Sequence, residues 1–182
     1  MLGELGLAHD VQEVNVFTGE GRKPEYQKIH PHGYVPALEL DDGQVMIESS
    51  AICMFLGEKI APAVGSPERA KYYEWMVYVP ATIDPTLETI MFHTIFLPEE
   101  HRVPSLVERA KKKWNKTIEP RIAAALEKST FILGETFTPA DVMVASALGW
   151  ARMANVLGDN PAIQAYMGRI ADRPAFVSAH AS

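Results

Sequence analysis

Residues 30–56, HPHGYVPALELDDGQVMIESSAICMFL, constrain the fold more than any other stretch of the chain. Leu38 and Leu40 alternate with Glu39, and Val45 and Ile47 repeat that two-residue period on the return. Asp42-Gly43 lies between them, a pair that favours tight hairpin turns because glycine accepts positive φ. The spacing predicts two short antiparallel strands. Pro36 stands just before the first strand, where its missing N–H breaks no ladder bond. Val35, preceding a proline, is pushed toward extended geometry. Two readings of Pro36 are open. It is an ordinary strand-entry proline, or it is a cis proline that turns the Val35 N–H and C=O outward for an extended ligand. After the hairpin, Ser49 is expected to N-cap a helix through Ala51, Ile52, Phe55 and Leu56. A helix mouth also attracts carboxylates, so Ser49 either caps its own helix only or adds to an anion site.

The rest of the chain reads as helix. Residues 60–65 (Ile-Ala-Pro-Ala-Val-Gly) form a linker, and Ser66 is placed to cap a long helix carrying Trp75, Tyr78 and Val79. Pro80 and Pro85 are expected to kink or break it. Residues 103–128 carry Val103, Leu106, Val107, Ala110, Trp114 and Ile118 at three-and-four spacing, an amphipathic helix that Pro120 interrupts. Arg109, Lys111, Lys112, Lys113 and Lys116 make a basic run on it, read as a solvated face. Thr138-Pro139-Ala140-Asp141 is a capping box with proline at the first helical position, and Phe137 and Val142 complete a hydrophobic staple. Asp141 is therefore a folding residue whose cap is worth on the order of 1 kcal/mol, and more if buried. Upstream, residues 1–6 resemble a helix end closed by Gly6, residues 11–17 a strand with Val14 and Val16 on one face, and residues 24–29 a short helical turn.

Two motifs carry a family resemblance. Pro31-His32-Gly33-Tyr34-Val35-Pro36 with Glu48-Ser49-Ser50-Ala51-Ile52, and Leu133-Gly134 with Thr138-Pro139-Ala140-Asp141, resemble the glutathione-site half and the helical-domain signature of the glutathione S-transferases. The resemblance implies an α+β chain. Residues 1–60 would form a thioredoxin-like glutathione-binding domain, truncated and without its first strand, and residues 66–182 an all-helical C-terminal domain. It implies that Pro36 is cis, that the backbone of Val35 pairs with the cysteinyl part of glutathione, and that Glu48 and Ser49 hold its γ-glutamyl end. Tyr34 stands where many members carry a basic residue. Glutathione is the implied co-substrate, a small electrophile the second substrate, and a homodimer the implied assembly. The family activates the thiol with a Tyr, Ser or Cys near its first strand or first helix, and that point precedes Met1. The missing stretch is roughly 15–20 residues by average element lengths. No catalytic residue can therefore be named. A start upstream of Met1, a shortened chain and a natural non-catalytic relative all fit. A non-catalytic binding or scaffold protein is thus one alternative, and a glutathione-dependent isomerase or disulfide reductase another.

Composition narrows the classes further. A formal net charge of −6 over 182 residues disfavours a nucleic-acid partner. Charges interrupt every apolar stretch, so no membrane span is expected. The one cysteine, Cys53, allows no internal disulfide and suits a cytoplasmic location. It falls on an apolar helix face and reads as a small buried hydrophobe. His30 and His32 flank Pro31 without the companions a metal site needs. His93, near Phe92 and Phe96, reads as a pocket-lining residue or as a core or interface histidine.

Overall fold

The computed structural model describes residues 1–181. A 3₁₀ turn, Gly3–Leu5, ends on Gly6 at φ 62°, and Gly6 N–H donates to Gly3 O. Residues 11–15 then run without regular structure into 3₁₀ turns at Val16–Thr18 and Glu20–Arg22. The strand expected over residues 11–17 is absent. Asn15 accounts for this locally: its side-chain oxygen accepts the N–H groups of Phe17 and Thr18, both at 3.1 Å. The chain there bonds to a side chain instead of to a ladder, and no strand lies alongside it among the described residues.

Helix α1 (Pro24–Gln27) leads into the hairpin of β1 (Ala37–Glu39) and β2 (Val45–Ile47). The strands are antiparallel, with Ala37 opposite Ile47, Leu38 opposite Met46 and Glu39 opposite Val45. Leu38 therefore shares its face with Met46, while Val45 and Ile47 lie on the face of Ala37 and Glu39. The turn is closed by Gly43 at φ 82°, with Gly43 N–H donating to Leu40 O at 2.8 Å and Gln44 N–H to an Asp42 carboxylate oxygen at 2.9 Å. Every hairpin strand residue except Glu39 is only half-buried. Two strands alone are marginal in water, so the hairpin depends on α2 (Ser49–Leu56), which packs against β2, α3 and α7.

The core lies in the helices. Ser66 caps α3 (Pro67–Tyr78) by accepting the Arg69 N–H at 3.1 Å. Arg69 is itself buried and ties the linker down through Pro62 O at 2.8 Å and Glu58 at 2.7 Å. The chain then passes through a π-helical segment, Val79–Ile83, into α4 (Asp84–Met91), and through a second, Phe92–Phe96. A third π segment, Trp114–Ile118, joins α5 (Pro104–Lys113) to α6 (Glu119–Leu126). The prolines thus widen the helices locally where a kink or break was expected. A proline ring collides with the carbonyl four residues back and offers no donor. One inserted residue relieves the clash at Pro85 and Pro120, and the N–H just before each proline reaches five residues back, from Asp84 to Val79 O and from Glu119 to Trp114 O.

Tyr72, Met76, Val79, Ile83 and Leu87 meet Trp114, Ile118 and Ile122 across α7 (Pro139–Met153) and α8 (Pro161–Ala171). Ala140, Val144 and Leu148 of α7 and Ile163 and Tyr166 of α8 are completely enclosed. Each large side chain so buried contributes about 1.5–3 kcal/mol. The short α9 (Pro174–Ala179) packs on the first 3₁₀ turn, where Arg173 makes two bonds to Glu4, at 2.8 and 2.6 Å. The capping box is present, and Asp141 extends it. Its buried carboxylate accepts Thr138 N–H at 2.8 Å, Ile132 N–H at 2.8 Å and Tyr166 O–H at 3.1 Å. Cys53 is buried as expected.

Candidate functional site

Gly33, at φ 70°, packs backbone to backbone on Gly21, and a Cβ on Gly33 would lie 2.3 Å from Gly21 O. Only two glycines permit that approach. The loop after Gly33 is held from below. Tyr26 donates its O–H to Tyr34 O at 2.6 Å, and buried His30 accepts the His32 N–H on Nδ1 at 3.3 Å. The Val35-Pro36 peptide is cis. Val35 is half-exposed, and neither its N–H nor its C=O has a partner among the described residues. That leaves one donor and one acceptor side by side at the surface, the arrangement an extended peptide uses to add itself to an edge.

The other half of the site begins where β2 ends. Ser49 is not the N-cap. Glu48 takes that position at φ 73°, ψ 108°, and Ser49 is the first helical residue of α2. No side chain caps the helix, so the N–H groups of Ser49, Ser50 and Ala51 face outward without intrahelical partners. The Ser49 hydroxyl has no partner among the described residues either. Ser50 instead donates its hydroxyl to Met76 O at 3.1 Å, pinning this first turn to α3. A non-glycine residue at positive φ stores on the order of 1–2 kcal/mol of strain. At this corner the Glu48 side chain is exposed and outside any ion pair among the described residues.

The hairpin register brings the two halves together. Ala37 faces Ile47, so Pro36 and Glu48 are the next residues outward on the two sides of the hairpin's open end. Val35, Pro36, Glu48 and Ser49 therefore meet at the open end of the hairpin. A bare backbone slot there adjoins a helix mouth that favours negative charge.

Residues 1–59 match the glutathione S-transferase N-terminal domain, and residues 104–169 match the glutathione S-transferase C-terminal domain. Glutathione S-transferase GstA of Escherichia coli O157:H7 is 33% identical over 157 residues, covering 82% of this chain and 74% of that protein. The chain belongs to the glutathione S-transferase family. Among solved structures, the theta class glutathione S-transferase of Xanthomonas axonopodis pv. citri, with glutathione bound, superposes with a TM-score of 0.82 at 27% identity, over 97% of this chain and 86% of that one. A glutathione transferase from Methylococcus capsulatus str. bath gives 0.83 at 28% identity, over 98% and 88%. The α+β fold class follows: a thioredoxin-like N-terminal part and a helical C-terminal part.

Other candidate groups lie elsewhere. Burial pushes the Cys53 thiol up, away from the reactive thiolate. His93 accepts the Val103 N–H on Nδ1 at 3.3 Å and thereby steadies the entry to α5. Among the described residues no group of three or more His, Cys, Asp or Glu side chains is placed to hold a metal. No helix there is long and apolar enough to cross a membrane. A surface depression of about 440 Å³ between α6 and α8 is lined by Lys128, Thr130, Glu135 and Arg169 among others. It shares no residue with the hairpin site and offers less converging chemistry, because Arg169 is already committed to Thr130 O. The two features that sequence reasoning missed are the strained Glu48 corner and the Gly21–Gly33 contact. The glycines were visible as letters, but nothing in their spacing says that they touch.

Proposed function

We propose that this chain binds glutathione at the open end of the hairpin and presents its sulfur to a small electrophile. The cysteinyl unit pairs with the N–H and C=O of Val35. The γ-glutamyl carboxylate rests on the free N–H groups of α2 and the Ser49 hydroxyl, and its ammonium faces Glu48. The observation that carries the reading is the juxtaposition of a partner-free Val35 backbone with an uncapped helix mouth. In the reaction, the thiolate forms a bond to the electrophilic carbon, and the leaving group departs with its bonding electrons, or the electrons pass into a conjugated acceptor that is then protonated. The thiol proton must leave first, since the thiolate is the nucleophile.

The single thiol, Cys53, is buried and pushed up, which speaks against a disulfide reductase that uses a thiol of this part of the chain. A glutathione-binding protein without turnover keeps the same site. The division at the linker, residues 1–60 and 66–182, makes the first unit the glutathione holder and the second the support for the electrophile. Exposed Phe55, Tyr73, Val64 and Val77 around α2, α3 and the linker suit a homodimer. A chain with one cysteine and no disulfide suits a cytoplasmic location.

The test is calorimetric titration of glutathione into the wild-type chain and Ser49→Ala. Ser49 is not the cap, so its loss should leave the melting temperature nearly unchanged. A hydrogen bond to a carboxylate is worth about 1.5–3 kcal/mol, so affinity should fall by about tenfold or more. No binding by the wild type, or equal binding by both, would sink the assignment. A conjugation assay on the same samples separates enzyme from binding protein.

A further inference from the structure

We infer that Tyr26 is a positioning residue for the ligand: its hydroxyl, bonded to the Tyr34 carbonyl, turns the Tyr34–Val35 peptide so that the Val35 N–H faces the slot and donates more strongly into it. The inference rests on the glutathione reading above and goes beyond it by naming a residue that acts through the backbone.

The bond is short. The Tyr26 hydroxyl donates to Tyr34 O at 2.6 Å, near the short end for an O–H···O bond. Tyr34 O and the Val35 N–H belong to one peptide unit, and that unit is trans. In a planar trans peptide the C=O and the N–H point in opposite directions. With the carbonyl drawn down onto Tyr26, the N–H points up and away, where it meets no partner among the described residues. Rotation of this one unit would swing the donor away from the cysteinyl carbonyl.

Tyr26 is itself held in place. Its backbone carbonyl accepts Ile29 N–H at 2.9 Å and His30 N–H at 2.8 Å, and His30 O accepts Gly33 N–H at 2.8 Å. Its ring stacks on that of buried His30, with centroids 6.4 Å apart at 23°. The phenol and the carbonyl it grips thus close a bonded loop over residues 26–34. Burial pushes the Tyr26 hydroxyl up from its ordinary value, so it stays a donor at neutral pH. Stability alone does not require this bond. Tyr34 is 67% exposed, and water satisfies a surface carbonyl nearly as well. Water does not fix the direction of the peptide. A fixed donor on the carbonyl also polarises the unit and strengthens its N–H.

Calorimetry on the full chain and on Tyr26→Phe, with two ligands, tests this. Glutathione carries the cysteinyl carbonyl that accepts the Val35 N–H. γ-Glutamylcysteamine keeps the γ-glutamyl end, the following amide N–H and the thiol, but lacks that carbonyl. Phenylalanine keeps the ring and its stacking on His30, so the melting temperature should stay within about 2 °C of the wild type. The substitution should weaken glutathione about fivefold and γ-glutamylcysteamine less than about twofold. In the ligand-free ¹⁵N-labelled protein, the Val35 amide proton should move upfield. A merely structural role would weaken both ligands alike. Equal losses for the two ligands, an unchanged glutathione affinity, or an unmoved Val35 amide proton overturns the inference. Absence of glutathione binding by the wild type overturns the slot reading, and this inference with it.

Discussion

Replacing Asp141 by alanine removes an acceptor that several buried donors share. Asp141 and Tyr166 are fully enclosed, and Thr138 and Ile132 are 3% and 4% exposed. Two of the carboxylate's four donors have other outlets. The Thr138 hydroxyl, 3.1 Å from the carboxylate, can rotate. The Tyr166 hydroxyl keeps its 3.1 Å bond to the Asp141 backbone carbonyl. The N–H groups of Ile132 and Thr138 have none. An orphaned buried donor costs about 1–3 kcal/mol, so two cost about 2–6 kcal/mol. Against this, the mutation removes a carboxylate whose burial pushes its pKa up despite those bonds. The net loss is then about 3 kcal/mol, several times the ~1 kcal/mol of an exposed cap and a large share of a typical total stability. For a chain of this size that is roughly 6–12 °C in melting temperature. Urea unfolding followed by tryptophan fluorescence measures it directly, as a lower midpoint at unchanged slope. Asp141→Asn should lose nearly as much, because one end of the amide must point its N–H at a donor. A loss of 1 kcal/mol or less in the alanine variant would refute the shared-acceptor account and leave Asp141 a simple cap.

Two further outcomes follow from strain and charge. Burial, with Glu88 one turn away, pushes the Asp84 carboxyl up to about 6, and no hydrogen-bond partner meets it among the described residues. Its folded pKa lies above the unfolded value, so its stabilising contribution is complete below about pH 4 and is lost as pH rises through 6. The preceding π segment uses the Asp84 N–H, so no open helix mouth compensates the charge. Asp84→Asn should therefore be more stable than the wild type at pH 7–8, by on the order of 1 kcal/mol after allowance for partial exposure, and should flatten the slope between pH 4 and 7. Parallel pH profiles would count against it. Glu48→Gly should separate stability from binding. Relief of the φ 73° corner is opposed by glycine's unfolded-state entropy, leaving a change between about 0 and +1 kcal/mol. Glutathione affinity should fall because the carboxylate facing the ammonium is gone. A variant that binds as tightly as the wild type would remove Glu48 from the site.

Local patterns were legible where neighbours in sequence are also neighbours in space. Alternation at Leu38, Leu40, Val45 and Ile47 marked the strands, and Gly43 marked the turn. Thr138 and Asp141 announced a helix start because a capping box closes within four residues. Ser66 did the same for α3. Val14 and Val16 misled, because alternation reports only that a strand would have two faces. Whether a partner exists to complete the ladder is a matter of the whole fold, and Asn15 offered nearer bonds. Ser49 misled more narrowly. Its residue type suits a cap, but the chain leaves β2 at an angle that makes Glu48 the corner.

The amino-acid sequence alone determined the hairpin, the two helix caps and the family resemblance, since each rests on bonds or periodicities spanning a few residues. Tertiary structure decided what those pieces can do. It brought Pro36 and Glu48 to the same open end of the hairpin, seated Gly33 on Gly21, enclosed Asp141 under Ile132 and Tyr166, and laid Phe17 on Phe96. All of these join residues that lie 9 to 79 positions apart along the chain. Their meeting depends on how the helices pack, and packing is a property of the whole core that no short window of residues contains.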